Sequence, residues 1–520
     1  MPTAESLRLG IDVGHTNTDA VVVDPAGTLI ARTKVPTSDD LDVSVETAIA
    51  GLLDEPTVDP AVIGCVTLGA ARTTDVIRTG AGLRRVAVLR IGGPLTFAVP
   101  PLVTWPEALR AAVAAGSRIV EGGCEFNGER IAPLDEAAIA AFATAVASDA
   151  EAIAITAVFS PVDPADELRA AAILRHELGE IPISMSHEIG SMGLLERENA
   201  TVLNAALSGD ATGTAAALHA AIRRHDLDAE CYLGQNDGTQ MALAYATRFP
   251  VLAIGSGPAN SMRGGAHSSG VTDAIVADIG GSSTVVGRLV NGFPCESLTP
   301  YTMSGVVTNF RLPDVVEVPI GGGPMHDALC CGGSTPTLTD AAVTAGRTTF
   351  GSHPVPGNWG KRLSRMLTEA DRLLAEAVDR VGLGADDLPL MVVGGAGGIA
   401  PDRLAGVAEV IRPPHFDVAN ALGAAIAPVS GYAERICAGR PDLLRAAIDK
   451  LTTDAFSRAI QAGADPDRVQ VSGIEEVPLA YLRDPAVRIK VRATGPPVTA
   501  PARAAAALSS IHRTGRRTRS

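Results

Sequence analysis

The chain has 520 residues, a formal net charge of −15, and 46% hydrophobic but only 3% aromatic residues. That length allows two to four domains, each burying a core of Ala, Val, Leu and Ile. The acidic balance argues against nucleic acid as the main partner, because phosphate neutralisation needs a basic face. No apolar run approaches the ~20 residues needed to cross a bilayer, so no membrane span is expected. The opening MPTAESLRLG has no positive region followed by an apolar stretch. No secretory leader is therefore expected, and a cytoplasmic location is. The seven cysteines, including the adjacent Cys330 and Cys331, form no C-x-x-C pair, which supports neither a disulfide framework nor a zinc site.

In chain order, Leu9-Gly10-Ile11 leads into Asp12, Gly14, then Thr16-Asn17-Thr18-Asp19 and the apolar run from Ala20 to Val23. This reads as a hairpin. A third strand is expected over 28–35, a helix over 42–53, a strand over 62–69 and another over 86–90, with Asp75 capping a helix between the last two. Residues 91–190 read as an inserted α/β unit. It has turns at Gly122-Gly123 and Asn127-Gly128, helices over 134–148 and 165–178, and strands over 152–158 and 181–185. Residues 194–225 are mostly helical. Strands follow over 232–235 and 250–254, then a helix from Gly255 through Gly265.

The stretch 274–292, AIVADIGGSSTVVGRLVNG, repeats the design of the N-terminal hairpin. A strand ends in Asp278, Gly280-Gly281 makes the turn, and the hydroxyl run Ser282-Ser283-Thr284 opens a second strand. Beyond it lie a strand over 314–320, a helix opening at 338, the longest helix over 359–381, and a buried strand over 390–393. That strand stops at Gly394-Gly395-Ala396-Gly397-Gly398, and a small-residue helix opens at 417. The tail has a helix over 454–463 and strands over 469–472 and 487–492. From 493 the Pro/Ala/Arg-rich end reads as disordered.

A carboxylate at a strand end, beside backbone N–H groups, can hold Mg²⁺ through water. A glycine turn lets phosphate oxygens approach the backbone, and Ser/Thr hydroxyls donate to them. Two such hairpins in one chain are a stronger signal than one. The glycine run after 393 adds a turn that a ribose or planar group could approach. It is not G-x-G-x-x-G, so a dinucleotide-binding turn is not indicated.

Together these features resemble the actin-like ATPase superfamily, which includes sugar kinases, chaperones and actin. The closer resemblance is to the hydantoinase A/5-oxoprolinase family. It is carried by residues 10–20 (GIDVGHTNTDA), Gly122-Gly123 with the Asn127-Gly128 turn, 196–205 (ERENATVLNA), Ser256-Gly257-Pro258-Ala259 and 278–283 (DIGGSS), and by Gly321-Gly322-Gly323, Thr339-Asp340-Ala341 and 418–424 (VANALGA). It runs from about residue 7 to 435. The resemblance implies a duplicated, ribonuclease H-like α/β fold. The first lobe is 1–190, with the insert at about 91–185, and the second lobe is 191–435. A small α/β extension over 436–492 and a basic tail over 493–520 follow.

It further implies ATP and Mg²⁺ as cofactors and a cyclic-amide substrate such as a hydantoin or 5-oxoproline, opened after phosphorylation of the amide oxygen. A second, separately encoded subunit and an oligomeric assembly are implied as well. By this resemblance Asp12 and Asp278 lie nearest the metal. Gly14, His15, Thr16, Asn17 and Thr18 form one phosphate turn, and Gly280, Gly281, Ser282, Ser283 and Thr284 the other. Gly394, Gly395 and Gly397 back the adenosine. The chain departs from the family at three places: His15 replaces a glycine, Val285 an Asp, and Gly69-Ala70-Ala71 a Gly-Thr-Thr turn. These departures motivate an alternative, a nucleotide-binding or regulatory subunit without turnover. A small-metabolite kinase is a third reading. No catalytic base is named: His187, His267, His326 and His415 all read as structural.

Overall fold

The computed structural model describes residues 6–69, 73–190, 192–297, 299–382, 384, 388–438, 440–479 and 486–500. Ala70 and Ala71, and the tail beyond 500, lie outside the described residues.

Two sheets share one strand order. In the first, Leu29–Pro36, Asn17–Val23 and Leu7–Val13 form an antiparallel meander, and Ile63–Gly69 and then Glu230–Gly234 join Leu7–Val13 in parallel. In the second, Val315–Val318 and Phe293–Pro294 flank Thr284–Val290, which pairs with Ala274–Ile279, and Leu390–Val393 and Val410–Ile411 follow in parallel. Each meander reaches its fourth strand through a helix, Leu41–Leu53 in one half and Gly360–Gly382 in the other. This is a duplicated actin-like α/β architecture. The central strands read as near-continuous apolar runs because helices cover both faces. Leu9, Ile11, Val21, Val22, Ile275, Val276 and Val392 are all fully buried.

The first sheet reaches far along the chain. Glu230–Gly234 and Gln240–Ala242, well past residue 190, belong to it. So do Val429–Ala438, Gln470–Leu479 and Ala486–Gly495, which close it at nine strands. Between them, the helix Pro441–Gln461 covers one face of the sheet through Leu451, Ala455 and Ala459.

The insert is a four-stranded parallel sheet in the order Ala114–Glu121, Val86–Gly93, Ala152–Ala157, Ile183–Met185. Helices Glu136–Val146 and Ala165–Leu178 pack one face. The long helix Leu194–Arg224 packs the other and carries the insert against the rest of the molecule. Inside that interface the Arg90 guanidinium donates two 2.6 Å hydrogen bonds to Glu198, with both side chains buried.

Four expectations change. The longest helix is Leu194–Arg224, not the one over 359–381, and residues 493–495, where disorder was expected, finish the strand Ala486–Gly495. Residues 250–254 are not a strand; Pro250–Leu252 is a 3₁₀ turn, because Pro250 has no N–H to donate to a ladder. The strands Ala114–Glu121 and Val429–Ala438 were not expected, since their mixed polar sequences lack a clean alternation.

The two halves meet through the helices Ser256–Ser269 and Ala419–Ile426. A Cβ on Gly264 would overlap the Ala419 carbonyl, and one on Gly423 the Asn260 carbonyl. Glycine at these two crossings lets the backbones touch, which sets the distance between the halves.

Candidate functional site

The two hairpins match in pairing register. Val13 pairs with Thr18 and Asp12 with Asp19; 266 positions on, Ile279 pairs with Thr284 and Asp278 with Val285. Each turn is closed by the same hydrogen bond: Gly14 N–H donates to Asn17 O at 3.0 Å, and Gly280 N–H to Ser283 O at 3.0 Å. The tips are therefore His15-Thr16 and Gly281-Ser282. They face one another, since a Cβ on Gly281 would lie 3.4 Å from Thr16 Oγ1. Thr16 and Ser282 are exposed there.

Beneath the tips sit the acids. Burial, then the charges of Asp19 and Asp278, push the Asp12 carboxyl up to about 8, against the opposing pull of Lys34. Burial raises Asp278 too, opposed by a hydrogen bond from Ser261. Asp19 is raised by burial, while Lys34 Nζ, 2.5 Å from its Oδ1, works the other way. Lys34 Nζ also reaches the Asp417 carbonyl at 3.4 Å, and Arg32 pairs with the Asp417 carboxylate at 2.9 Å. These contacts tie the third strand of the first half to the second half. Carboxyls that burial and neighbouring acids hold back from ionising are favoured in their charged form by a nearby cation.

Residues 8–178 match the hydantoinase/oxoprolinase N-terminal region, and residues 197–329 match hydantoinase/oxoprolinase. The chain belongs to the hydantoinase/oxoprolinase family. The alpha subunit of caprolactamase from Pseudomonas jessenii is 27% identical over 412 residues, which are 73% of this chain and 56% of that protein. The acetophenone carboxylase gamma subunit of Aromatoleum aromaticum is 25% identical over 260 residues, 43% of this chain and 34% of that one. The chain thus spans about half or less of the length of these relatives. In fold it is similar to the crystal structure of ATP-dependent caprolactamase from Pseudomonas jessenii, with a TM-score of 0.76 at 19% identity over 94% of this chain and 87% of that one. It is also similar to nucleotide-free acetone carboxylase, with a TM-score of 0.65 at 18% identity over 94% and 88%.

Not every residue that the family resemblance singled out faces the tips. Thr18 and Thr284 are fully buried. Thr18 Oγ1 shares a 2.9 Å hydrogen bond with Thr37, and Thr284 Oγ1 donates to the Ile320 carbonyl at 2.7 Å, so both hydroxyls lock the meander instead. His15 turns outward, with Nε2 2.9 Å from Asp75 Oδ2 and the side chain 64% exposed. It joins the turn to the helix Thr73–Thr79 and does not crowd the tips. Gly394, at φ +91, lies under Asp278, whose Oδ1 a Cβ would overlap. Gly395 faces Lys34 Nζ across the halves, and Gly397 packs on the Phe416 ring. Of the three, Gly395 is the one whose missing Cβ leaves room on the site side.

Two of the histidines, His187 and His267, hold structure together. His187 Nδ1 lies 2.6 Å from buried Glu167, and His267 Nε2 lies 2.9 Å from the Gly27 carbonyl. Burial opposes ionisation of Glu167, yet hydrogen bonds from His187 and Ser186 and the charge of Arg197 hold its carboxyl below the usual range.

Lys34, Ser261, Asn260 and Asn420 had not been singled out for the site. Ser261 and Asn260 lie just past the Ser256-Gly257-Pro258-Ala259 motif, and Asn420 lies in a quoted family motif with no role attached. The packing of the two central helices brings Ser261, Asn260 and Asn420 to Asp12 and Asp278, and the ladder of the first sheet brings Lys34 beside Asp19. Among the described residues no three His, Cys, Asp or Glu side chains cluster as a metal cage. The donor set of two carboxylates therefore fits a hydrated, hard divalent cation such as Mg²⁺, which keeps most of its own waters.

Proposed function

We propose that this chain is the ATP-using part of an enzyme that opens a cyclic amide by phosphorylating the amide oxygen. The observation that carries the reading is the pair of register-matched turns, tip to tip, over two carboxylates whose charges oppose each other. In this reading the tips Thr16 and Gly281-Ser282 receive the β- and γ-phosphates through backbone N–H groups and hydroxyls. Gly395 leaves space for the nucleoside. Asp12 and Asp278 would hold Mg²⁺ through its waters, and the ion would supply neutralisation of phosphate charge. Lys34, tied to Asp19 and Asp417, keeps the two halves at a fixed distance around the phosphates.

An unstrained lactam is a poor electrophile. Attack of its oxygen on the γ-phosphorus releases ADP and leaves a C–O–P bond on the ring carbon. Water then adds at that carbon and the C–N bond breaks, which frees the amine and leaves an acyl phosphate; a second water hydrolyses it to the carboxylate and phosphate. The chain's part is positioning and exclusion of water. Similarity to subunits of caprolactamase and acetophenone carboxylase supports a partner subunit for the second stage.

The test is calorimetric titration with Mg-ATP, followed by ATP hydrolysis assays on a lactam and hydantoin panel, with and without the genomically adjacent subunit. Binding, with ADP release dependent on a cyclic amide, is the expected result; failure to bind Mg-ATP at all would sink the reading. A second reading, nucleotide binding without turnover, is favoured by Val285 standing opposite Asp278 where the first half has Asp19 opposite Asp12. Robust ADP release by the unmodified protein would exclude it.

A further inference from the structure

Four polar atoms at the floor of the site have no partner among the described residues: Asp12 Oδ1, Asn260 Oδ1 and Nδ2, and Asn420 Oδ1. All four are buried, and Asn260 is 0% exposed as a whole residue. A buried amide with neither atom bonded forfeits its hydration on both sides, so it is a strong indication of a bound ligand. Three of these atoms also converge. A Cβ on Gly69 would lie 3.4 Å from Asn260 Nδ2, 3.4 Å from Asp12 Oδ1 and 3.5 Å from Asn420 Oδ1. Gly69 is the register neighbour of Asp12 on the adjacent parallel strand. Its missing side chain leaves a space about the size of a methyl group, ringed by one donor and two acceptors.

We infer that this space holds a single bound water, and that Asn260 and Asn420 position the Asp12 carboxylate through it. A water accepts one hydrogen bond from Asn260 Nδ2 and donates two, to Asp12 Oδ1 and Asn420 Oδ1, so the three converging atoms are satisfied. With Oδ1 held from below, Oδ2 is fixed in direction for the metal's waters. The two asparagines come from the two central helices, Ser256–Ser269 and Ala419–Ile426, which join the halves. The water thus couples the orientation of Asp12 to the packing of those helices. Asn260 and Asn420 are positioning residues: they reach the metal only through Asp12.

The functional half of this inference rests on the proposed Mg-ATP site; the water itself does not. The test uses the full chain in three forms: wild type, Gly69→Ala and Gly69→Ser. Crystals of the nucleotide-free wild type should show a water within hydrogen-bond reach of Asp12, Asn260 and Asn420, displaced in Gly69→Ala. Mg-ATP affinity by calorimetry should fall about tenfold in Gly69→Ala, whose methyl fills the space without donating or accepting. It should recover to within about threefold of wild type in Gly69→Ser, whose hydroxyl stands in for the water. A purely steric role predicts the opposite order, with the larger serine worse than alanine. No water in the wild type, or equal affinities in wild type and Gly69→Ala, would overturn the inference. If the wild type binds no Mg-ATP, the nucleotide reading and the positioning role both fail, while the crystal still decides the water site.

Discussion

At Asp12 the adjacent strand presents Asp19 and the strand after it Lys34; at Asp278 the same register presents Val285 and then Glu317. The backbone repeats and the chemistry does not. In the first half the second acid is offset by a base across the ladder, so Asp19 and Lys34 form a short ion pair and Asp12 is left facing the site. In the second half an apolar residue fills that place, and Asp278 is raised chiefly by its own burial. The tips differ in the complementary way. His15 is bulky and turned aside to Asp75, whereas Gly281 is bare and approaches Thr16. One turn brings the managed charge, and the other brings the close approach. A duplicated fold can divide its work in this way because register, once fixed by the turn that closes each hairpin, leaves individual side chains free to diverge.

The largest effect is expected on removing either acid. Asp12→Asn and Asp278→Asn should each weaken Mg-ATP binding by about 10²-fold or more, read by calorimetry. Asp12→Asn should at the same time stabilise the nucleotide-free chain. The folded carboxyl binds its proton more tightly than the unfolded one, from 3.8 up to about 8, so its contribution to stability is full below the unfolded value and is lost as pH rises through that window. The Tm advantage of Asp12→Asn should therefore be small near pH 4, grow toward pH 8 and then level. A variant that loses stability at pH 8 would show that Asp12 is held by a positive partner instead.

The contact between the tips comes next. Gly281→Ala should cost roughly tenfold in Mg-ATP affinity, and a cycle with Thr16→Ser should give a coupling on the order of 1 kcal/mol. Additive effects would mean that the tips do not meet at the nucleotide.

Val285→Asp then tests the asymmetry itself. The new acid faces Asp278 with no base behind it, and urea unfolding should show a loss of about 1 kcal/mol. Adding Glu317→Lys rebuilds the first half's acid–acid–base ladder in the second half and should recover most of that loss. If the double variant is no better than the single one, ladder pairing is not what separates the two hairpins.

The smallest effect is expected at His15. Its contact with Asp75 is solvent-exposed, so His15→Gly should change stability by less than ~0.5 kcal/mol and Mg-ATP affinity by no more than about threefold. A tenfold gain would show that the histidine obstructs the phosphates after all.

Much of the fold was legible in advance because it is written locally. An apolar strand, an acid, a glycine turn and a hydroxyl run are short-range signals, and their repetition at a spacing of 266 gave the duplication, both acids and both turns. The roles of Thr18 and Thr284 were not legible. Each looks like a phosphate donor by composition, yet the tight meander buries both and spends their hydroxyls on Thr37 and on the Ile320 carbonyl. Gly397 misled for the same reason: a glycine run cannot announce which of its members faces the core.

By itself, then, the sequence determined the two hairpins and the acid at the end of each first strand, since apolar runs and turn chemistry depend on residues only a few positions apart. The tertiary structure alone decided that the tips of those hairpins oppose each other. It also decided that Lys34 meets Asp19 and Asp417, and that Asn260 and Asn420 converge on Asp12 beside Gly69. Those contacts join residues from about 15 to about 400 positions apart: the ladder of Asn17–Val23 with Leu29–Pro36 sets Lys34 beside Asp19, and the close packing of the helices Ser256–Ser269 and Ala419–Ile426 at Gly264 and Gly423 sets the contacts between the halves.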